Sequence, residues 1–137
     1  MAQYMMLVYQ EEADPAVQAE REAELPLYVE LHRSLREAGL LVGVQRLRTP
    51  ESATSVRVRD GHTEITDGPF AVTKEILAGY YILECADLDE ALEQAARLLP
   101  ARFGTIEVRP VVPPAEWLRI ERDAGADLPD EAVDDLA

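Results

Sequence analysis

Few side chains in this sequence are suited to acid–base chemistry, because it contains only two histidines and one cysteine. His32 lies in a predicted helix, four residues after Tyr28. An imidazole titrates near neutral pH, so neutral His32 could act as a general base if a carboxylate held its tautomer. The alternative is a hydrogen-bonded structural histidine at the edge of an apolar stripe. His62, beside a predicted turn, is expected to face solvent.

The most informative stretch is the run 66–75, Thr-Asp-Gly-Pro-Phe-Ala-Val-Thr-Lys-Glu. Asp67 either offers a carboxylate to a pocket or shapes the turn by accepting backbone N–H groups. Lys74 is the only lysine in the sequence. Its ammonium could bind an anionic group of a substrate, or pair with Glu75 or Asp67.

Tyr80 and Tyr81 follow on a predicted strand, where alternation turns their rings to opposite faces. One ring then faces the helices and the other an interface or pocket, where its phenol could hydrogen-bond a ligand. Packing in the core is the alternative for both. Phosphate-binding loops, paired zinc-type cysteines and a nucleophile elbow are absent from the sequence. A metal centre would need mainly carboxylates, so we expect no metal and no cofactor.

Hydrophobic periodicity predicts the elements that must position these side chains. The predicted strands are residues 3–10, 40–47, 79–85 and 105–112. The predicted helices run from Asp14 to Gly39 with a break at Pro26, from Asp87 to Pro100, and over residues 116–122. A hairpin lies between the second and third of these strands. The order β-α-β-hairpin-β-α-β predicts an α+β, ferredoxin-like fold.

The hairpin is predicted with its register. Asp60-Gly61 favours a type I′ turn. The resulting pairs are Arg59 with His62, Val58 with Thr63, Arg57 with Glu64, and Val56 with Ile65. One face is then apolar, and the other carries a cross-strand ion pair between Arg57 and Glu64. We assign a basic patch, formed by Arg46, Arg48, Arg57 and Arg59, to a solvated face of this hairpin.

Two predicted strands are apolar on both faces, which implies that both sides of the sheet are covered. The two main helices should lie together on one side. A second copy of the chain is the simplest cover for the other side, since monomers rarely expose a large apolar face. A twofold homodimer is therefore expected.

Composition limits the partners. A length of 137 residues suits about one domain, and a net charge of −14 opposes binding to nucleic acid or anionic lipid.

No apolar run approaches the ~20 residues that span a bilayer, and no basic segment precedes the first apolar residues, so we expect no signal peptide. A single cysteine fits a reducing cytoplasm. The acidic tail from about Asp123 is expected to be mobile.

The run 66–75, followed by Ala78-Gly79-Tyr80-Tyr81, resembles the YCII-related proteins. Within them it resembles the branch named for its Asp-Gly-Pro-Phe motif. The likeness extends from the first strand through Arg109-Pro110-Val111. The family pattern commonly has Glu where this chain has Val72, so any role of that acid does not carry over.

The resemblance implies a dimeric α/β barrel, in which two ferredoxin-like sheets pack face to face around pockets near the dimer interface. Better-known relatives carry a helix histidine and an aspartate proposed as an acid–base pair. The histidine matches His32 here, and we assign the acid to Asp67 because the motif is built on it. The predicted ligand-binding residues are Phe70, Lys74, Tyr80 and Tyr81.

Two functions stay open at this point. The first is a small-molecule pocket, catalytic or not, in a YCII-related domain of residues 1–113. The second is a regulatory module that binds a protein, since genes of the Asp-Gly-Pro-Phe branch often lie beside those of extracytoplasmic-function sigma factors. Residues 114–137, with the Trp117 helix and the acidic tail, would then form the contact surface.

Overall fold

A computed structural model describes residues 1–127 of the chain. Its strands are β1 (Ala2–Glu11), β2 (Leu41–Arg46), β3 (Thr54–Arg59), β4 (His62–Asp67), β5 (Glu75–Cys85) and β6 (Thr105–Pro110). Its α-helices are α1 (Pro15–Ala23), α2 (Leu25–Glu37), α3 (Leu88–Arg97) and α4 (Pro114–Asp123), with 3-10 turns at Pro50–Ser52 and Leu99–Arg102. The predicted elements are therefore present in the predicted order.

The main sheet has four antiparallel strands in the order β2-β5-β1-β6. Each central strand has a helix-bearing connection to an edge strand, since α1 and α2 join β1 to β2 and α3 joins β5 to β6. The fold is α+β and ferredoxin-like, as predicted. The hairpin β3–β4 forms a separate two-stranded sheet inserted between β2 and β5.

The core lies between one face of the main sheet and the helices. Alternate residues of β1 and β5 are buried there, which is the period of two expected of strands with one face on a core. The buried residues from the sheet are Tyr4, Met6, Val8, Tyr81, Leu83 and Cys85, and those from the helical side are Leu31, Leu35, Ala91, Ala95 and Leu98. Cys85 is fully buried, and burial is the main cause that raises the pKa of its thiol.

Side-chain caps start two of the helices where the sequence predicts them. The Asp14 carboxylate accepts a bond from the Val17 N–H (2.9 Å), and Asp87 does the same for Glu90 (2.9 Å). The helix break predicted at Pro26 occurs slightly earlier in the chain, because α1 ends at Ala23 and α2 begins at Leu25. Pro26 instead lies in the first turn of α2, where the missing N–H has no helical partner to lose.

The hairpin has the predicted register at all four pairs. Asp60 and Gly61 both have positive φ (52° and 76°), as a type I′ turn requires. The predicted ion pair is wrong: within residues 1–127, Arg57 and Glu64 lie opposite each other without an N···O distance of 4.0 Å or less. Both side chains are exposed, so water competes for their charges.

Several boundaries differ from the predicted ones. β5 begins at Glu75, four residues earlier than expected, because its first residues pair with the end of β1 beyond a bulge at Val8/Tyr9. In α3 the predicted stripe is only partly buried: Ala91 and Ala95 face the core, whereas Leu88 and Leu92 are about half exposed. Small residues on the buried side let this helix lie close to the sheet.

The last described element, α4, leaves most of its apolar side chains in solvent. Ala115 is buried, but Trp117 is 53% exposed and Ile120 is exposed beside it. The greater part of the predicted acidic tail, from residue 128 onward, lies outside the described residues. In the part that the structure describes, no helix has the length and apolar character needed to cross a membrane.

Candidate functional site

A cleft of about 210 Å³ opens between the sheet and the first two helices. Its floor is formed by β5 and β2, its walls by α1 and α2, and its rim by the end of β1 and the turn at Pro100. The edge strand β2 lines the cleft with the apolar Val44 and then with the polar Gln45 and Arg46. It is smaller than the ~300–1,000 Å³ typical of pockets for drug-sized ligands, so it suits a small molecule.

His32 and Tyr81 meet in this cleft. The His32 Nε2 and Tyr81 Oη atoms lie 2.8 Å apart, although the residues are separated by 49 positions. The ring centroids of His32 and Tyr81 lie 5.4 Å apart in an edge-to-face arrangement, and those of Tyr28 and His32 lie 6.3 Å apart. Since Tyr28 and His32 are one helical turn apart on α2, both rings point toward the same strand.

Burial sets the protonation of this pair. Burial, and next the charge of Arg36, hold the pKa of His32 below 6.5. Burial also raises the pKa of Tyr81 to about 12, with a smaller contribution from Tyr28. At pH 7 the imidazole is therefore mostly neutral and the phenol keeps its proton. A neutral imidazole has one donor and one acceptor nitrogen, so the bond can run in either direction.

Charged side chains surround the outer part of the cleft. Arg21 and Arg46 line it together with one carboxylate, that of Glu22. The Arg21 guanidinium lies 4.2 Å from the centroid of the Phe103 ring, a cation–π contact. Neither arginine is in an ion pair within the described residues. Both guanidinium groups therefore keep their charges available to a bound molecule.

The structure brings three of the predicted site residues to the cleft. His32, Tyr80 and Tyr81 line it. Tyr81 is the tyrosine that faces the helices, and Tyr80 touches the cleft from the strand while alternation turns its ring to the opposite face. The structure thus pairs His32 with a phenol, where the resemblance implies a carboxylate.

The three other predicted site residues do not line this cleft within one chain. Asp67 ends β4 opposite Thr54, and its carboxylate accepts no hydrogen bond from residues 1–127. The predicted turn-forming role, in which Asp67 accepts backbone N–H groups, is therefore not observed. Phe70 is 83% exposed. Lys74 is also exposed, and its Nζ lies 3.3 Å from Glu11 Oε1 rather than beside Glu75 or Asp67. The roles predicted for these residues in a pocket stay predictions.

Sequence reasoning misplaced or overlooked the basic residues of the site. The prediction of a four-arginine hairpin face is wrong for Arg46 and Arg48. Arg46 belongs to β2 in the main sheet and lines the cleft, and Arg48 lies in the segment between β2 and β3, whereas Arg57 and Arg59 do lie on the hairpin. Arg21 gave no signal, since basic residues commonly end helices. Within residues 1–127, no three side chains of the metal-binding types cluster closely enough to hold an ion.

The comparisons with known proteins agree with the resemblance seen in the sequence. The sequence model of the YCII-related domain matches residues 2–117, which includes the first part of α4. An uncharacterized protein of Rhizobium meliloti (strain 1021) is 39% identical over 112 residues, covering 79% of this chain and 90% of that protein. Placement in the Asp-Gly-Pro-Phe branch stays a prediction. The match over most of the chain shows that the protein belongs to the YCII-related domain family.

Proposed function

We propose that the protein binds a small molecule in the cleft and that the His32–Tyr81 pair exchanges a proton with it. One observation carries this proposal: the 2.8 Å contact between His32 Nε2 and Tyr81 Oη in a cleft open to solvent. His32 is half-buried and lines the cleft, so a bound molecule can reach its imidazole.

The pair can move a proton in both directions. When Nδ1 carries the imidazole hydrogen, Nε2 accepts the Tyr81 hydroxyl proton, and the phenolic oxygen can take a proton from the ligand. When Nε2 carries the hydrogen, it donates to the Tyr81 oxygen, and the hydroxyl can give its proton to a ligand oxygen. The tyrosine touches the ligand in both cases, and the histidine sets its acidity.

A homodimer is part of this proposal. The face of the main sheet opposite the helices carries three apolar cross-strand pairs, Met5–Ile82, Leu7–Tyr80 and Tyr9–Leu77. The residues that alternate with them are buried beneath the helices, so this second face is the one left without cover by the elements of a single chain. Packing of two such faces would bury these pairs and form the barrel that the resemblance implies.

A thermal-shift screen of small metabolites tests the proposal. A ligand at about 100 times its Kd stabilises the folded state by about 2.7 kcal/mol, which raises the Tm by several degrees. We expect the shifts seen with wild type to be lost in His32→Gln and Tyr81→Phe. Tyr4→Phe is the matched control, because it removes a buried phenol from the same sheet face outside the cleft. Equal shifts in all four proteins, or none in wild type, would contradict the proposal.

A second function is favoured by the exposed apolar face of α4. Trp117 and Ile120 are three positions apart and thus lie on one side of the helix, both in solvent. This face could bind a protein, for which the resemblance suggests an extracytoplasmic-function sigma factor. Titrating such a purified sigma factor while following Trp117 fluorescence tests this function. A chain ending at Pro113 should keep the fold and lose binding in a pull-down, whereas retained binding would exclude α4 as the contact.

A further inference from the structure

The cleft adjoins a second hollow, which lies near the end of β1 and the segment 46–51. Arg21, Arg46, Gln10, Gln18 and Ala78 line both spaces. Tyr28, His32 and Tyr81 line only the cleft. The arginines and glutamines therefore stand at the junction, while the aromatic rings form the other end of the cleft. A molecule lying along the cleft would meet guanidinium and amide donors at one end and the proton-exchanging pair at the other.

Positive charge lies at this junction although the chain as a whole is acidic. The chain has a net charge of −14, yet Arg21 and Arg46 face the cleft without forming an ion pair within the described residues. Burial and the charge of Glu24 raise the pKa of Tyr28, and the charges of Arg21, Arg46 and Arg102 oppose that rise. Their field thus extends to the aromatic part of the cleft, where anions gain the most from it because water is partly excluded.

Among the residues that line the cleft itself, this positive charge is only partly balanced. Glu22 is the carboxylate among the cleft's lining residues. In the second hollow, which Arg48 also lines, Glu11 pairs with Lys74, and the negative charge of Glu51 raises the pKa of Glu12. Two guanidinium groups against one carboxylate favour a ligand with a single negative charge. Arginine is also suited to hold a carboxylate through two parallel hydrogen bonds.

We infer that the ligand of this cleft is a small organic carboxylate, held at its acid group by Arg21 and Arg46, with its apolar part against Tyr28 and its reacting part at His32 and Tyr81. This inference rests on the proposed function and adds the chemical class of the ligand. An apolar or aromatic body fits the remaining wall, which is formed largely by Leu25, Tyr28 and Val44.

Matched probes that differ only in charge test the inference. Benzoate and phenylacetate are titrated into the full-length protein beside benzamide, phenylacetamide and benzylamine, and the ring resonances of His32 and Tyr81 are followed by NMR. Concentrations up to about 10 mM detect Kd values near 1 mM. We expect the carboxylates to bind about tenfold more tightly than their amides at low salt, and the ammonium to bind most weakly.

Variants of the lining charges identify the groups responsible. Arg46→Gln and Arg21→Gln should lower carboxylate affinity about tenfold and leave amide affinity unchanged, whereas Glu22→Gln should raise carboxylate affinity. Arg57→Gln, an exposed arginine on the hairpin outside the cleft, is the matched control and should change neither.

Three outcomes would overturn the inference. They are equal binding of carboxylates and amides, carboxylate binding unaffected by both arginine variants, and no binding of any probe. If amides perturb His32 as strongly as carboxylates do, the carboxylate inference fails while the proposed proton-exchanging cleft stands. The metabolite screen judges that cleft separately, so the two failures are distinguishable.

Discussion

His32 and Tyr81 meet because a helix and a central strand each turn one face to the same core. Leu31 and Leu35 anchor α2 on the sheet, and this rotation leaves Tyr28 and His32 at the border of the buried stripe. On β5, alternation places Tyr81 on the helical side between Gly79 and Leu83. A histidine at such a border has both a fixed partner and access to a ligand, which a fully buried or a fully exposed histidine lacks.

The lowered pKa of His32 gives a pH dependence of stability with a defined sign. The unfolded chain takes up the proton at a pH near 6.5, whereas the folded chain does so only at lower pH. The contribution of this residue is therefore fully present above about pH 6.5 and is lost as the pH falls toward the folded-state pKa. Urea unfolding between pH 7.5 and 5 should show a steeper loss for wild type than for His32→Gln, and equal slopes would contradict this.

The charge of Arg36 contributes to the same shift. Arg36→Gln should raise the pKa of His32, because a positive charge disfavours the imidazolium. The change should be smaller than the whole shift, since burial is its largest cause. An NMR titration of the His32 ring protons measures it. A pKa unchanged in the variant would leave burial as the only cause.

The structural environment of Asp67 distinguishes its predicted role in a pocket from its predicted role in shaping a turn. The side chain is exposed and accepts no hydrogen bond from residues 1–127, so Asp67→Asn should change the free energy of unfolding by less than about 0.5 kcal/mol. Urea denaturation measures this change. If the same variant loses ligands that wild type binds, Asp67 acts in a site completed by a second copy, while unchanged binding removes it from the site.

At the scale of elements, the antiparallel pairing of β2 with β5 forms the floor of the cleft. Gly79 lies where the two strands come so close that a Cβ atom would be 2.4 Å from the Gln45 backbone oxygen. The glycine therefore permits the pairing that brings Arg46 beside the tyrosines of β5. Gly43, on the neighbouring strand, has no atom within 4 Å of such a Cβ position.

This pair of glycines gives a matched test. Gly79→Ala should destabilise the fold by about 1–3 kcal/mol, because backbone atoms must move apart to admit the methyl group. Gly43→Ala should be neutral or stabilising by a few tenths of a kcal/mol, since alanine lowers the entropy of the unfolded chain. Urea unfolding measures the free energy of unfolding of both variants, and equal changes would show that the close approach at Gly79 does not affect stability.

At the scale of the whole molecule, two apolar surfaces compete as the place where a second copy would bind. One is the open face of the main sheet, with Leu7 and Tyr80 at its centre. The other is the apolar face of the hairpin, where Val56 is 62% exposed. The sheet face belongs to the central strands β1 and β5, and β5 also carries Tyr81 of the cleft, so this face is the surface expected to join two copies.

A carboxylate introduced on each surface in turn shows which of the two surfaces joins the copies. Leu7→Glu should convert a dimer to a monomer, because burying an unpaired carboxylate in the interface is costly. Val56→Glu should leave the dimer intact. Sedimentation velocity measures the mass, and circular dichroism checks that both variants fold. A monomeric wild type would contradict the dimer, and dissociation by Val56→Glu alone would move the interface to the hairpin.

Sequence by itself determined what depends on neighbouring residues. Helix caps at Asp14 and Asp87, the type I′ turn at Asp60-Gly61 and the complete register of its hairpin follow from local chemistry and from the period of apolar residues. The order of these elements then predicts the ferredoxin-like sheet. His32 could be singled out as well, since its residue type and its place beside an apolar stripe are visible in the chain.

Only the tertiary structure decided what His32 faces. Its partner is Tyr81, 49 positions away, and the charges beside it come from Arg21 and Arg46 on separate elements. Such meetings depend on how far α2 rotates over the sheet and on the close approach at Gly79, which no local window of sequence encodes. The prediction of Arg46 on the hairpin was wrong for the same reason. Its neighbours in sequence suggest one surface, but hydrogen bonding of β2 to β5 places it on another.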